Sequence, residues 1–192
     1  AVIGERTMSK ILEVNDLCKS FVVKKRLLGE NDVVSAVNHV SLGLEEGEVL
    51  GIVGESGCGK STVARLLLHS IRPDSGTMKL CGKEYDMAHA TGQDVQTFRK
   101  NMQMVFQNPY SSLNPRMTVG QIIGEGLTSH GIFKRGDPAM KEYIMKVMED
   151  CGLASYMFNR YPHQFSGGQR QRIGIARSLA LSPKFVVCDE AV

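Results

Sequence analysis

Three short stretches, "EVLGIVG" (48 to 54), "MQMVFQ" (102 to 107) and "FVVCDE" (185 to 190), are almost uninterrupted in apolar character. That pattern predicts strands covered on both faces, hence a parallel sheet flanked by helices. Two earlier stretches alternate instead: "VSLGL" (40 to 44) sets Val40, Leu42 and Leu44 against Ser41 and Gly43, and "TMKLCG" (77 to 82) follows a turn over Pro73 to Gly76. They predict half-buried, antiparallel strands. In "STVARLLLHSI" the residues Ala64, Leu67, Leu68 and Ile71 recur at helical spacing, and in "AMKEYIMKVMEDC" so do Met140, Ile144, Val147, Met148 and Cys151. Both read as amphipathic helices, and the methionine-rich face of the second is expected to be core.

Composition narrows the class. With 192 residues, 42% of them hydrophobic, the chain can bury a substantial core. Its net charge of +3 comes from basic residues scattered among acids, so charge gives no reason to expect nucleic acid as a partner. "KKR" at 24 to 26 reads as a solvated loop. The five cysteines are odd in number and none lies in a C-x-x-C pair, which suits free thiols in a reducing cytosol. No apolar run approaches the roughly 20 residues of a membrane-spanning helix, and "AVIGERTMSK" has no signal-peptide core. A membrane role is therefore expected to be peripheral. Met8 is a candidate natural start, and the sequence contains no internal repeat or low-complexity tract.

The chemistry starts at "GESGCGKS": Gly54, Glu55, Ser56, Gly57, Cys58, Gly59, Lys60 and Ser61, followed by Thr62. This is G-x-x-x-x-G-K-[ST] between a predicted buried strand and a predicted helix, the context a phosphate cradle requires. The glycines let backbone N–H groups turn inward onto phosphate oxygens, the helix N-terminus adds positive potential, Lys60 reaches the β- and γ-phosphates, and Ser61 ligates Mg²⁺. Adjacent strand ends of such a sheet lie beside the same ligand. Asp189 is then expected to hold Mg²⁺, mostly through water, and Glu190 to orient or deprotonate the attacking water.

"FSGGQRQRIGIARSLA" (165 to 180) offers a Ser166 cap before a helix with Ile173, Ala176 and Ala180 on one face. With the cradle and the acidic pair, the chain resembles the ATP-binding cassette of ABC transporters, whose LSGGQ signature appears here as FSGGQ. The resemblance runs from about Ile11 to the end, and "QNPYSSLNPRMTV" with "RYPHQFSGGQRQRIGIARSLA" looks most like ATP-binding subunits of peptide or nickel importers. It implies the ABC ATPase fold as one domain over 1–192: an antiparallel β-lobe, an α/β P-loop core and an inserted helical lobe over 108–165. It also implies an ATPase using ATP and Mg²⁺, with Phe21 against adenine, Gln107 sensing Mg²⁺ and the γ-phosphate, and Ser166, Gly167, Gly168 and Gln169 meeting nucleotide held by a second ATP-binding subunit, identical or related, head to tail. Membrane permease subunits would be the other partners, at the cytoplasmic face of the membrane.

The rival class, a non-transport ABC ATPase in DNA repair or translation, usually carries coiled-coil insertions, zinc motifs or a second cassette, and none is seen here. After its acidic pair the family continues with a D-loop, a helix, a strand and a switch histidine, whereas His39, His69, His89, His130 and His163 all precede Glu190. The 192-residue chain is therefore expected to bind nucleotide without sustaining hydrolysis, and to fold marginally.

Overall fold

The computed structural model describes residues 10–24, 32–107 and 112–189. The chain divides into two compact units, residues 1–98 and 99–192.

In the first unit, β1 (Lys10–Lys24) pairs antiparallel with β2 (Asp32–Glu45) and with β3 (Ser75–Leu80), which pairs with β4 (Lys83–Asp86), giving the order β2-β1-β3-β4. The alternation in "VSLGL" and "TMKLCG" thus marks β2 and β3. The second strand ends two residues earlier than the pattern suggests, because Cys81 and Gly82 both take positive φ, 49° and 84°. That is the two-residue hairpin geometry that matches the twist of the flanking strands. β1 and β2 are longer than any apolar pattern in the sequence indicates. Register shifts interrupt their ladder, and Asp16 and His39 take left-handed backbone there with their side chains 2.5 Å apart.

The turn into β3 depends on Gly76: at φ 121° a Cβ would come within 2.8 Å of the Leu17 Cα, which only glycine avoids. Leu12, Val14, Leu17, Leu66, Met78, Met87 and Phe98 are the large side chains this unit buries most completely. α1 (Lys60–Leu67) supplies Leu66. α2 (Gly92–Asn101) supplies Phe98, edge-on to Tyr85 at 4.9 Å. The predicted α1 face is buried at Ala64, Leu67 and Leu68, while Ile71 lies past the helix end and is half-buried.

One expected strand is absent: residues 48–54, "EVLGIVG", have extended or irregular backbone without strand pairing. Val49 is 93% and Val53 97% exposed. A continuous apolar run records the environment a segment suits. It does not supply the neighbouring strand whose N–H and C=O groups complete a ladder, and among the described residues no strand lies alongside this one.

In the second unit β5 (Met102–Val105) and β6 (Phe185–Cys188) pair in parallel, as the other two apolar runs predict. β5 is largely buried, whereas β6 is half-buried with Cys188 exposed. Among the described residues three α-helices pack here: α3 (Val119–Ser129), α4 (Pro138–Asp150) and α5 (Gly167–Leu179). Their core joins Val119, Ile123 and Leu127 to Ile144 and Met148, and to Ile173 and Ala176. The methionine-rich face of α4 is therefore core, with Ile144 and Met148 fully buried and Met140, Val147 and Cys151 packed at the edge of the same cluster. Each of these helices starts on a side-chain cap, from Thr118, Asp137 and Ser166.

Candidate functional site

Residues 54–59 form an exposed loop that leads into α1 at Lys60. Gly57 and Gly59 have φ of 82° and 101°, in the left-handed region where side-chain-bearing residues are strained. Gly59 has a second constraint, since a Cβ there would lie 2.4 Å from the Ala36 carbonyl oxygen of β2. The loop curls around one cation: Lys60 Nζ donates to the carbonyls of Gly54 and Glu55 at 2.7 Å each and lies 3.7 Å from Cys58 Sγ. α1 has no side-chain cap at Gly59 and no acid in its first turn. Its first amides, at Lys60, Ser61 and Thr62, form the positive end of this helix, where an anion is favoured. Glu55, Ser56 and Cys58 are exposed around this turn, and Ser61 and Thr62 are half-buried. This donor set fits a polyphosphate: an ammonium, a helix N-terminus and glycines that admit close approach.

Phe21 lies within β1 and is 38% exposed. It pairs with Val34, and Ser20 with Ser35 and Lys19 with Val37. Ala36, the β2 residue against which Gly59 sits, falls between the partners of Lys19 and Ser20. The β-ladder therefore brings the Phe21 segment and the cradle to the same stretch of β2.

In the second unit, the parallel register sets Val105 opposite Cys188, and the Asp189 amide donates to the Val105 carbonyl at 3.1 Å. Gln107, exposed, and Asp189, half-buried, thus emerge from the same end of two paired strands. The expected partner acid, Glu190, lies outside the described residues. Ser166 caps α5: its hydroxyl accepts from the Gln169 amide at 3.4 Å, and the Gln169 side chain accepts from the Ser166 amide at 3.1 Å. Ser166 and Gly168 are exposed, and Gly167 and Gln169 half-buried, at this helix start. Replacing Ser166 with alanine is expected to cost about 1 kcal/mol through the lost cap. A thermal melt falling by about 2 to 4 °C would be its signature, and an unchanged melt would count against the cap.

Sequence reasoning missed two residues that hold these segments, Arg177 and Asp74. Arg177, on α5, donates through Nη1 to the Ser112 carbonyl at 2.5 Å, and its guanidinium lies 5.7 Å from the Phe106 ring, one residue before Gln107. Burial pushes its pKa down, with Glu125 opposing. Asp74 accepts from Lys19 Nζ and from the Ser20 amide, both at 2.7 Å. The Lys19 bond and then that amide hold its carboxyl below the usual aspartate range. None of these bonds has a local sequence signal, because the partners are 65, 55 and 54 residues apart. No group of three or more His, Cys, Asp or Glu side chains suited to a metal occurs among the described residues.

The family model described as "ABC transporter" matches residues 37–192. The chain belongs to the ABC transporter family. Within it, the "Oligopeptide transport ATP-binding protein OppF" of Salmonella typhimurium (strain LT2) is 44% identical over 196 residues, covering 100% of this chain and 57% of that protein. The OppF protein of Bacillus subtilis (strain 168) is 43% identical over 183 residues, covering 95% of this chain and 57% of that protein. The "Di/tripeptide transport ATP-binding protein DppF" of Pseudomonas aeruginosa (strain UCBPP-PA14) is 43% identical, with 95% of this chain and 55% of that protein covered. The chain thus spans little more than half the length of these curated relatives.

Among solved structures, a dimeric ATP-binding cassette in a post-hydrolysis state bound to ADP and Pi superposes with a TM-score of 0.79. It is 24% identical and matches 94% of this chain and 74% of that one. The fold is that of the ABC ATPase cassette, with the antiparallel sheet and the helices as the family resemblance implies. No helix among the described residues is long and apolar enough to cross a membrane.

Proposed function

We propose that this chain is part of the ATP-binding, ATP-hydrolysing subunit that powers an ABC importer of peptides. The observation that carries the reading is the loop over Gly54–Thr62, closed around the Lys60 ammonium at an uncapped, acid-free helix start. The names of the OppF and DppF relatives support peptide as cargo.

In this reading the amides of Gly57 to Thr62 and Lys60 Nζ bind the β- and γ-phosphates, and Phe21 stacks on the adenine. Bound Mg²⁺ would supply charge neutralisation between the phosphate oxygens. Ser61, Gln107 and Asp189 are the residues to hold it, directly or through water. Glu190 serves as the base that orients the attacking water, with Gln107 and Lys60 as the other catalytic groups. Ser166 to Gln169 offer a helix N-terminus to nucleotide bound by a second ATP-binding subunit, and the dimeric state of the structural neighbour supports such pairing. We assign residues 1–192 to one ATP-binding domain with a helical lobe over 108–165. The shared core of α3, α4 and α5 supports grouping that lobe with the signature helix. Permease subunits are the proposed membrane partners, placing the protein peripherally at the cytoplasmic face.

Affinity capture from membranes of cells expressing the tagged, full-length gene product tests this. Recovery of a polytopic permease together with a second ATP-binding subunit is the expected result. Nucleic acid or ribosomal proteins without a permease would replace the transport reading with the non-transport one.

A further inference from the structure

Phe21 stands near the end of β1 and is itself 38% exposed, beside Val22 at 51% and Val23 at 67%, so part of its ring is open to solvent. A set of polar contacts surrounds the covered part. Asp74, in the turn before β3, holds residues 18 to 20 at three points: its amide donates to the Cys18 carbonyl at 2.9 Å, its Oδ2 accepts from the Ser20 amide at 2.7 Å, and its Oδ1 accepts from Lys19 Nζ at 2.7 Å. Lys19 and Phe21 are two apart on a strand and share a face. The anchored ammonium lies over the Phe21 ring, 5.6 Å from its centroid. The lysine side chain is only 16% exposed although its partner carboxylate is 48% exposed, so the cation is drawn in beneath the ring instead of extending into water.

We infer that Lys19 and Asp74 are positioning residues for a purine base: the ion pair fixes the tilt of the Phe21 ring and leaves its opposite face for stacking. The inference rests on the nucleotide-binding reading above. A cation on one face of an aromatic ring constrains that ring, and a base stacks on the face left open. An isolated surface ion pair contributes little. This one acts because the same carboxylate also holds the backbone at Ser20, next to the ring. The β-ladder brings that segment to the level of Ala36, against which the cradle's Gly59 is seated, so a shift in the ring would move the base relative to phosphates held in the loop.

The test compares two probes by titration calorimetry on the whole chain: Mg-ATP, and inorganic tripolyphosphate, which has no base. Lys19→Met and Asp74→Asn should each weaken ATP binding about tenfold, the scale of a base–aromatic stack, while tripolyphosphate affinity stays as in the wild type. Lys19→Arg, which keeps a cation bonded to Asp74, should retain ATP affinity. Should Asp74→Asn fail to fold, Lys19→Met carries the comparison, because it leaves the Asp74 bond to Ser20 in place. Equal weakening of both probes, or unchanged ATP affinity in Lys19→Met, would overturn the positioning role. Wild-type protein that binds neither probe would overturn the nucleotide-binding reading beneath it.

Discussion

Lys60→Ala is expected to reduce affinity for Mg-ATP by about 30- to 900-fold in a chain that still folds. The lysine is the cation at the centre of the loop, held by the Gly54 and Glu55 carbonyls at 2.7 Å. Those carbonyls face solvent, so truncating the side chain leaves no buried acceptor unpaired, and stability should change little. Bound nucleotide, by contrast, covers the loop and loses a charge-assisted contact to its phosphates, and truncating one partner of such a covered pair costs about 2 to 4 kcal/mol. Calorimetry with thermal melts on the same sample separates the two effects. An unchanged affinity would remove Lys60 from the site, and a collapsed melt would show that it is structural.

Gly59→Ala should harm both stability and binding. At φ 101° any side chain is strained, at about 1 to 3 kcal/mol. The new Cβ would also meet the Ala36 carbonyl oxygen at 2.4 Å, and because that atom is backbone of β2 it cannot swing aside as a side chain would. Either the loop lifts from β2 or the helix start turns, and both misalign the amides of Lys60 and Ser61. The melt should fall by about 2 to 4 °C for each kcal/mol lost, with ATP affinity falling alongside. A variant that melts and binds like the wild type would mean that the loop is not seated on β2 as described.

What was legible in the sequence follows how local each determinant is. The Ser166 cap and its reciprocal Gln169 are three residues apart, so "SGGQ" before an apolar-faced helix states its own geometry. The cradle is similarly local: the left-handed glycines and the lysine that closes the loop lie within eight positions of one another. Met102–Val105 and Phe185–Cys188 were recognisable as strands from composition, and their parallel pairing brings Gln107 and Asp189 to one edge as the topology rule anticipates.

"EVLGIVG" reads as the same kind of strand, yet its apolar residues are exposed, because strand formation is settled by a neighbour and not by the segment itself. The length of the β1/β2 ladder was hidden for a related reason. Its register shifts, with Asp16 and His39 in left-handed backbone, break the period-two pattern that would have announced it. The Lys19–Asp74 pair and the Arg177 contacts join residues more than 50 positions apart, and no spacing rule reaches that far.

Equilibrium binding of radiolabelled ATP to the wild-type chain, with Mg²⁺ present and inorganic tripolyphosphate as competitor, tests the central claim most directly. The account predicts saturable binding at one site per chain and full displacement by tripolyphosphate, since the Lys60 loop recognises the phosphates. Absence of saturable binding, or bound ATP that excess tripolyphosphate fails to displace, would contradict it.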